Sequence, residues 1–247
     1  MSKDKSLAGG DPAGYQQAEA EAGSQMSLLN KLRAAVLGAN DGIVSTAGMV
    51  AGVAGATTNF VAILTAGIAG LTAGALSMAA GEYVSVSAQR DTEKALLDKE
   101  RRELDEMPAE ELEELAGLYR DKGLDAELAH RVAEQLTAHD ALSAHAEAEL
   151  GIEPDELTNP VAAAISSAIA FTVGALIPLL AIAFAPPAIR MIVTVIAVGV
   201  GLTLTGYLSA RAGQTPYVKA ILRNVIGGLL AMGVTFWIGR LVGVSLG

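Results

Sequence analysis

Five stretches of nearly unbroken apolar sequence, at 34–57, 60–81, 161–185, 188–210 and 220–246, alternate with short polar breaks and one long polar segment. Each approaches or exceeds the roughly 20 residues that a helix needs to cross a bilayer. Backbone amides in lipid must be paired within their own segment, so helices are the expected form. The pattern predicts an all-α, polytopic membrane protein with five transmembrane helices. Turn residues mark the breaks: Thr57-Thr58-Asn59 after the first span, Ala185-Pro186-Pro187 after the third, and Arg211 to Lys219 with Pro216 after the fourth. Pro178 lies inside the third span, where a kink is expected.

The polar segment between spans two and three reads as a helical insert. Nothing between Ser85 and Met107 breaks a helix, so span two is expected to continue out of the membrane as one rod. Pro108 disfavours helix at the residue before it and suits the first turn of the next helix, which runs to Asp121 and stops at Gly123. A third helix is expected from Asp125 to Leu150, with Gly151 as its C-cap and Thr158-Asn159-Pro160 opening span three. Leu104, Leu112, Leu115 and Leu118, with Leu128, Val132, Leu136 and Leu142, give these helices apolar faces that pack on one another. The domain plan is therefore a disordered cytoplasmic tail at 1–30, spans one and two at 31–90, a cytoplasmic acidic three-helix domain at 91–157, and spans three to five at 158–247. The tail is rich in Gly, Ala, Ser, Gln and Glu and lacks the apolar core of a secretory signal.

Charge sharpens this division. Residues 91–156 hold 21 of the 27 Asp and Glu, 7 of the 17 Lys and Arg, and all three histidines. That segment carries a formal −14 against −10 for the whole chain, which leaves +4 on the remainder. Without cysteine there is no thiolate metal site and no disulfide framework. No basic patch exists to neutralise phosphates, which excludes nucleic acid as a partner. Lys31, Arg33, Arg90, Arg211, Lys219 and Arg223 fall on one side of the spans, and Arg190 and Arg240 on the other. The positive-inside rule then places the N-terminus and the insert in the cytoplasm. Tyr83, Tyr207 and Tyr217 fall at the inner interface and Trp237 at the outer one, where amphipathic aromatics belong.

Two groups of residues carry candidate chemistry. Within the spans, Asp41 follows Asn40 in span one, and Met78 and Glu82 share a face of span two. An ionisable group at membrane depth costs several kcal/mol, so it is more often functional than structural. Glu82 also has a plain reading as an interfacial carboxylate that reaches water. Gly38 and Gly42, like Gly48 and Gly52, have the small-residue spacing of close helix packing. In the insert, Glu100 and Glu103 are three apart, Glu111 and Glu114 are three apart, and His145 and Glu149 are four apart. Each pair projects from one helix face, so three packed helices can converge them on one divalent-ion site. Oxygen donors with little sulfur suit Fe²⁺ and Mn²⁺. Glutamate at such spacing is also common on solvated helix faces, and spacing alone does not separate the two.

The stretches GANDGIVSTAGMVAGVAGA in span one and GALSMAAGEYVSVSAQRD at the end of span two, with the E-x-x-E, P-x-x-E-x-x-E and ELG elements of the insert, resemble the vacuolar iron transporter family. The resemblance extends over nearly all of the chain after the tail. It implies a five-span homodimer in a lipid bilayer, in which span-one helices of the two subunits line an ion path and the cytoplasmic helices collect metal. It further implies export of Fe²⁺ from the cytosol against protons moving the other way, with Mn²⁺, Zn²⁺ and Co²⁺ as further candidate ions and no prosthetic group. Asp41 and Met78 match the family's membrane ion-path positions, and Glu100, Glu103, Glu111, Glu114 and Glu149 its cytoplasmic metal ligands. One departure stands out: where the family's best-known pattern has methionines before the last glutamate, this chain has His145 and Ala146. A prokaryotic cytoplasmic membrane is expected ahead of a vacuolar one. Two rival functions use the same residues: a membrane-anchored carboxylate-bridged ferroxidase, which lacks a repeated Glu-x-x-His pair here, and a non-transporting metal sensor.

Overall fold

The computed structural model describes residues 12–155 and 157–246, with side chains described from 32 to 244. Among the described residues seven α-helices follow in order: α1 (Pro12–Ala56), α2 (Phe60–Glu106), α3 (Pro108–Asp121), α4 (Ala126–His145), α5 (Pro160–Phe184), α6 (Arg190–Ala212) and α7 (Tyr217–Leu246). The described residues contain no strand. Five helical stretches among the described residues, at Leu32–Ala56, within Phe60–Glu106, and at Pro160–Phe184, Arg190–Ala212 and Tyr217–Val244, are long and apolar enough to cross a membrane. The chain divides into two units, one comprising residues 1–79 and 165–247 and the other residues 80–164.

The tail expected to be disordered lies outside the described residues as far as position 11. From Pro12 the backbone is helical and continuous with span one. Alanine, glutamate and glutamine are good helix formers, and a proline fits the first turn, which accounts for helix where low hydrophobicity suggested none.

In the first unit, Ile43, Ala47 and Ala51 of α1 pack with Val198 and Leu202 of α6 and Met232 of α7. A second cluster joins Val50 of α1, Ile63 of α2 and Ile182 of α5. Small residues set the spacing of these helices. A Cβ on Gly42 would collide with the Phe171 carbonyl of α5, and one on Gly174 of α5 would collide with the Ala39 carbonyl of α1. Gly38, Gly42, Gly52 and Gly55 of span one are thus sites of close packing, while Gly48 has ordinary contact distances. Large apolar side chains also line the outside: Ile165, Ile169, Val173, Leu180 and Phe184 recur at helical spacing along α5, all exposed. A continuous apolar outer face of this kind is a lipid-facing one. Tyr207 and Tyr217 meet edge to face at the α6–α7 turn, with ring centroids 6.4 Å apart. Asparagines open two spans: Asn59 Oδ1 accepts from Ala62 N at 3.1 Å, and Asn159 Oδ1 accepts from Val161 N and Ala162 N, both at 3.1 Å. Pro178 lies inside α5 and is fully buried.

In the second unit, α3 and α4 pack through Leu115, Ala116 and Ala133, flanked by Leu112, Leu118 and Leu136. Gly123, at φ +102°, ends the turn after α3, a conformation that glycine adopts without steric cost. Asp125 caps α4, its side chain accepting from Leu128 N at 2.9 Å. The third insert helix departs from a single rod. Asp140 has extended backbone (φ −158°, ψ 98°), and its carboxylate accepts from Ser143 N at 3.0 Å and Ser143 Oγ at 2.8 Å. Asp140 therefore acts as an N-cap within the helix and starts a second segment. That segment closes in a π-helical turn over Ala146–Leu150, and Gly151 at φ +64° caps it.

Candidate metal centre

The insert brings three of the expected ligands into one buried group. Glu100 arrives from α2, Glu111 from the first turn of α3, and His145 from the segment that follows the Asp140 break. They are 3 %, 5 % and 0 % exposed. One donor atom from each lies within 4.8 Å of the other two. His145 Nδ1 is 3.0 Å from Glu100 Oε1 and 3.5 Å from Glu111 Oε2.

These contacts leave the polar groups unsatisfied. Glu100 Oε1 and both ring nitrogens of His145 are buried without a hydrogen-bond partner. Burial holds the His145 pKa below its usual range, opposed by the charge of Glu114. A neutral imidazole makes no ion pair, so proximity to two carboxylates does not by itself compensate their burial. Native interiors pair nearly all such atoms, and a cluster of orphaned donors and acceptors signals a missing partner. A divalent cation supplies one, because carboxylate oxygens and an imidazole nitrogen all offer it lone pairs.

The charges around the trio agree. Burial raises the Glu100 pKa from 4.5 to about 7, with Glu149, Glu111, Glu103 and Glu114 adding in the same direction. Burial likewise raises Glu111, helped first by Glu114. Glu149 is raised by burial and by Glu114, while Lys99 opposes the shift. Glu103 is partly neutralised by Lys99, whose ammonium donates to it at 2.5 Å. Glu114 and Glu149 are exposed. The five glutamates thus repel one another, with two of them sequestered beside His145. Residues that resist ionisation together are stabilised as anions by a bound cation.

The spans hold a second constellation. Asp41, Ser45 and Met49, one turn apart on α1, line a cavity of about 350 Å³ with Gly70, Ala73, Gly74, Ser77 and Met78 of α2 and Phe171 of α5. Ser45 Oγ donates to Asp41 Oδ1 at 2.9 Å. Asp41 and Met78 thus share one cavity; Glu82, half-buried, is not among its lining residues. Asn40 takes a different role. Its Oδ1 lies 3.2 Å from Thr205 Oγ1 of α6 and 3.3 Å from Asn224 Nδ2 of α7, accepting from both. These bonds fix the rotation of α1, with Asn40 inward and Asp41 on the cavity.

Sequence reasoning missed the Asp140 break, although Asp-x-x-Ser in mid-helix is the signature of a cap. It also missed Ser45 and the Asn40 bonds, whose partners lie more than 160 positions away. His130, which the sequence left unassigned, sits 3.3 Å from Glu113 and 3.5 Å from Glu134 on the exposed side of the insert.

Residues 32–240 match the model of the VIT family. Over 92 % of this chain and 88 % of the relative, the sequence is 36 % identical to vacuolar iron transporter homolog 2.1 of Arabidopsis thaliana. Vacuolar iron transporter homolog 4 of the same plant is 48 % identical over 36 % of this chain and 46 % of its own length. The vacuolar iron transporter of Acanthamoeba castellanii is 44 % identical over 57 % of this chain and 54 % of its own. Apart from homolog 2.1, then, the chain spans about half the length of these curated relatives.

Proposed function

The chain belongs to the VIT family, and on that premise we propose that it is a proton-coupled transporter carrying Fe²⁺ out of the cytosol. Mn²⁺, Zn²⁺ and Co²⁺ are further candidate cargo. The observation that carries this reading is the buried Glu100–Glu111–His145 group with its unpartnered atoms. The acidic insert, cytoplasmic by the positive-inside rule, is a receptor. Its charge raises the local concentration of divalent cations by field focusing, and its carboxylates, Glu103, Glu114 and Glu149 among them, hold the ion with His145. The ion is then transferred to the membrane cavity, where the Asp41 carboxylate binds metal or proton in turn and Met78 is a soft, weak ligand that releases it. Exclusive occupancy of one carboxylate is the physical basis of exchange. Two copies form the transporter, with the exposed Asp41–Ser45–Met49 face of α1 turned towards the partner subunit, in a prokaryotic cytoplasmic membrane.

Two features count against the rivals. A carboxylate-bridged ferroxidase needs donors for two irons with repeated Glu-x-x-His pairs, and among the described residues one three-donor group is formed. A sensor has no use for a carboxylate at membrane depth. The test is uptake into proteoliposomes across an imposed pH gradient, acidic inside, with Fe²⁺, Mn²⁺, Zn²⁺ and Co²⁺ in turn. Gradient-dependent Fe²⁺ uptake with proton efflux is expected; intact metal binding without uptake would leave the sensor as the better account.

A further inference from the structure

We infer that Met49 of α1 is a second sulfur donor in the membrane cavity and, with Met78 of α2, sets a preference there for borderline ions (Fe²⁺, Co²⁺) over the harder Mn²⁺ and Mg²⁺. The inference rests on the transporter reading and names the residue that grades its cargo. Its first support is the make-up of the cavity. Five of the nine lining residues, Asp41, Ser45, Met49, Ser77 and Met78, carry an oxygen or sulfur with lone pairs, and three of the other four are glycine or alanine. Donors and small residues around about 350 Å³ leave room for an ion and do not fill it with packing side chains. The hydroxyl of Ser45 already points at the carboxylate, donating to Asp41 Oδ1 at 2.9 Å.

The second support is where the thioether of Met49 lies. Asp41, Ser45 and Met49 follow at four-residue intervals on α1, and Gly70, Gly74 and Met78 do the same on α2. A short turn joins these helices, so they run in opposite directions. Met78 therefore lies towards the Asp41 end of the cavity and Gly70 towards the Met49 end, about 12 Å away along α1. Gly70 makes room for the sulfur: a Cβ there would collide with Met49 Sδ and stand 2.7 Å from its Cε. Nor is Met49 a core filler. It is 42 % exposed and shares its face with a carboxylate and a hydroxyl, whereas the outer face of α5 carries Ile, Val, Leu and Phe. Oxygen donors suit Mg²⁺ and Mn²⁺, and thioethers shift a site towards softer ions. Mn²⁺ already ranks below Fe²⁺ and Co²⁺ at mixed-donor sites, and a second sulfur widens that gap. Both sulfurs are neutral, so the preference comes without a second charge that would retain the ion.

The test is uptake into proteoliposomes across an acid-inside gradient, with KM and maximal rate measured for Fe²⁺, Co²⁺ and Mn²⁺. Wild-type protein is expected to show a lower KM for Fe²⁺ and Co²⁺ than for Mn²⁺. Met49→Leu keeps the side-chain volume and removes the sulfur. It should raise the Fe²⁺ and Co²⁺ KM by about 10-fold, the lower end of what even an outer partner of a metal ligand contributes, and leave the Mn²⁺ KM in place. Gly70→Ala, which pushes the thioether aside without altering it, should reproduce that pattern. Gly81→Ala, with no atom within 4 Å of the added carbon, should not. Mn²⁺ uptake is the internal control, because a packing defect moves all three ions alike. Equal loss of the three ions in both Met49→Leu and Gly70→Ala, or an unchanged ratio of Fe²⁺ to Mn²⁺ KM, overturns the inference and leaves the transporter reading standing. Wild-type protein that carries no ion across the gradient overturns both.

Discussion

Replacing Glu100 by glutamine separates two accounts of the buried trio, because they predict opposite signs. Glu100 titrates near 4.5 in an unfolded chain and at about 7 in the folded insert, chiefly through burial and then through its acidic neighbours. A folded-state pKa above the unfolded one means that the folded chain prefers the protonated carboxyl. Its contribution to stability is therefore fully present below about pH 4.5 and is lost as pH rises through about 7. At about 1.4 kcal/mol for each tenfold change in proton affinity, the metal-free insert is destabilised at about pH 8 by at most about 3 kcal/mol. Glutamine removes that charge. Metal-free Glu100→Gln should then open less readily than wild type at about pH 8, by up to about two orders of magnitude, and the difference should fade towards about pH 4. Had His145 and Glu100 formed a buried ion pair, the same change would instead destabilise by about 3–5 kcal/mol. Amide hydrogen exchange of α3 and α4 in the full chain reads the opening equilibrium locally. Added Fe²⁺ should protect wild type strongly and Glu100→Gln weakly. Faster exchange in metal-free Glu100→Gln than in wild type at about pH 8 would show instead that Glu100 is held as a buried ion pair.

Other perturbations reach separate parts of the molecule. Asp140→Ala removes the cap that accepts from Ser143 N and Oγ; Co²⁺ titration should find several-fold weaker binding, while circular dichroism finds helix content retained. Gly42→Ala places a methyl group against the Phe171 carbonyl and 2.8 Å from Ala175 N, backbone atoms that cannot rotate aside. Overpacking of this kind costs about 1–3 kcal/mol, so the melting temperature in detergent should fall. Gly227→Ala, with open space around the added carbon, should leave it unchanged.

Much of the fold was legible because a bilayer leaves few choices. Apolar runs of span length dictate helices, and the five predicted stretches lie within two or three residues of the observed candidate spans, apart from span two, whose helix runs on to Glu106. Proline and glycine punctuation at Pro108, Gly123 and Gly151 was equally readable, since each acts on its own backbone. The tail and α4 were less so. Position 12 onwards is helical where composition suggested disorder, and Asp140 breaks a helix whose apolar period continues through it. In the candidate site, E-x-x-E spacing assigned Glu100 and Glu103 to one face, yet Glu100 is sequestered while Glu103 pairs with Lys99. Which glutamate is buried depends on where α3 and α4 pack, a tertiary property that no local spacing carries. His145 was legible through its i, i+4 spacing with Glu149; its burial between two carboxylates of other helices is again a tertiary property.

The proposed exchange of metal for protons at one membrane carboxylate is tested in proteoliposomes. Wild-type protein and Asp41→Ala are reconstituted in parallel, and Fe²⁺ entry and proton efflux are recorded together across a gradient acidic inside. Gradient-driven Fe²⁺ uptake is expected of the wild type and none of Asp41→Ala, with Fe²⁺ binding at the Glu100–Glu111–His145 group of the full-length variant unaltered. Undiminished uptake by Asp41→Ala would contradict that exchange.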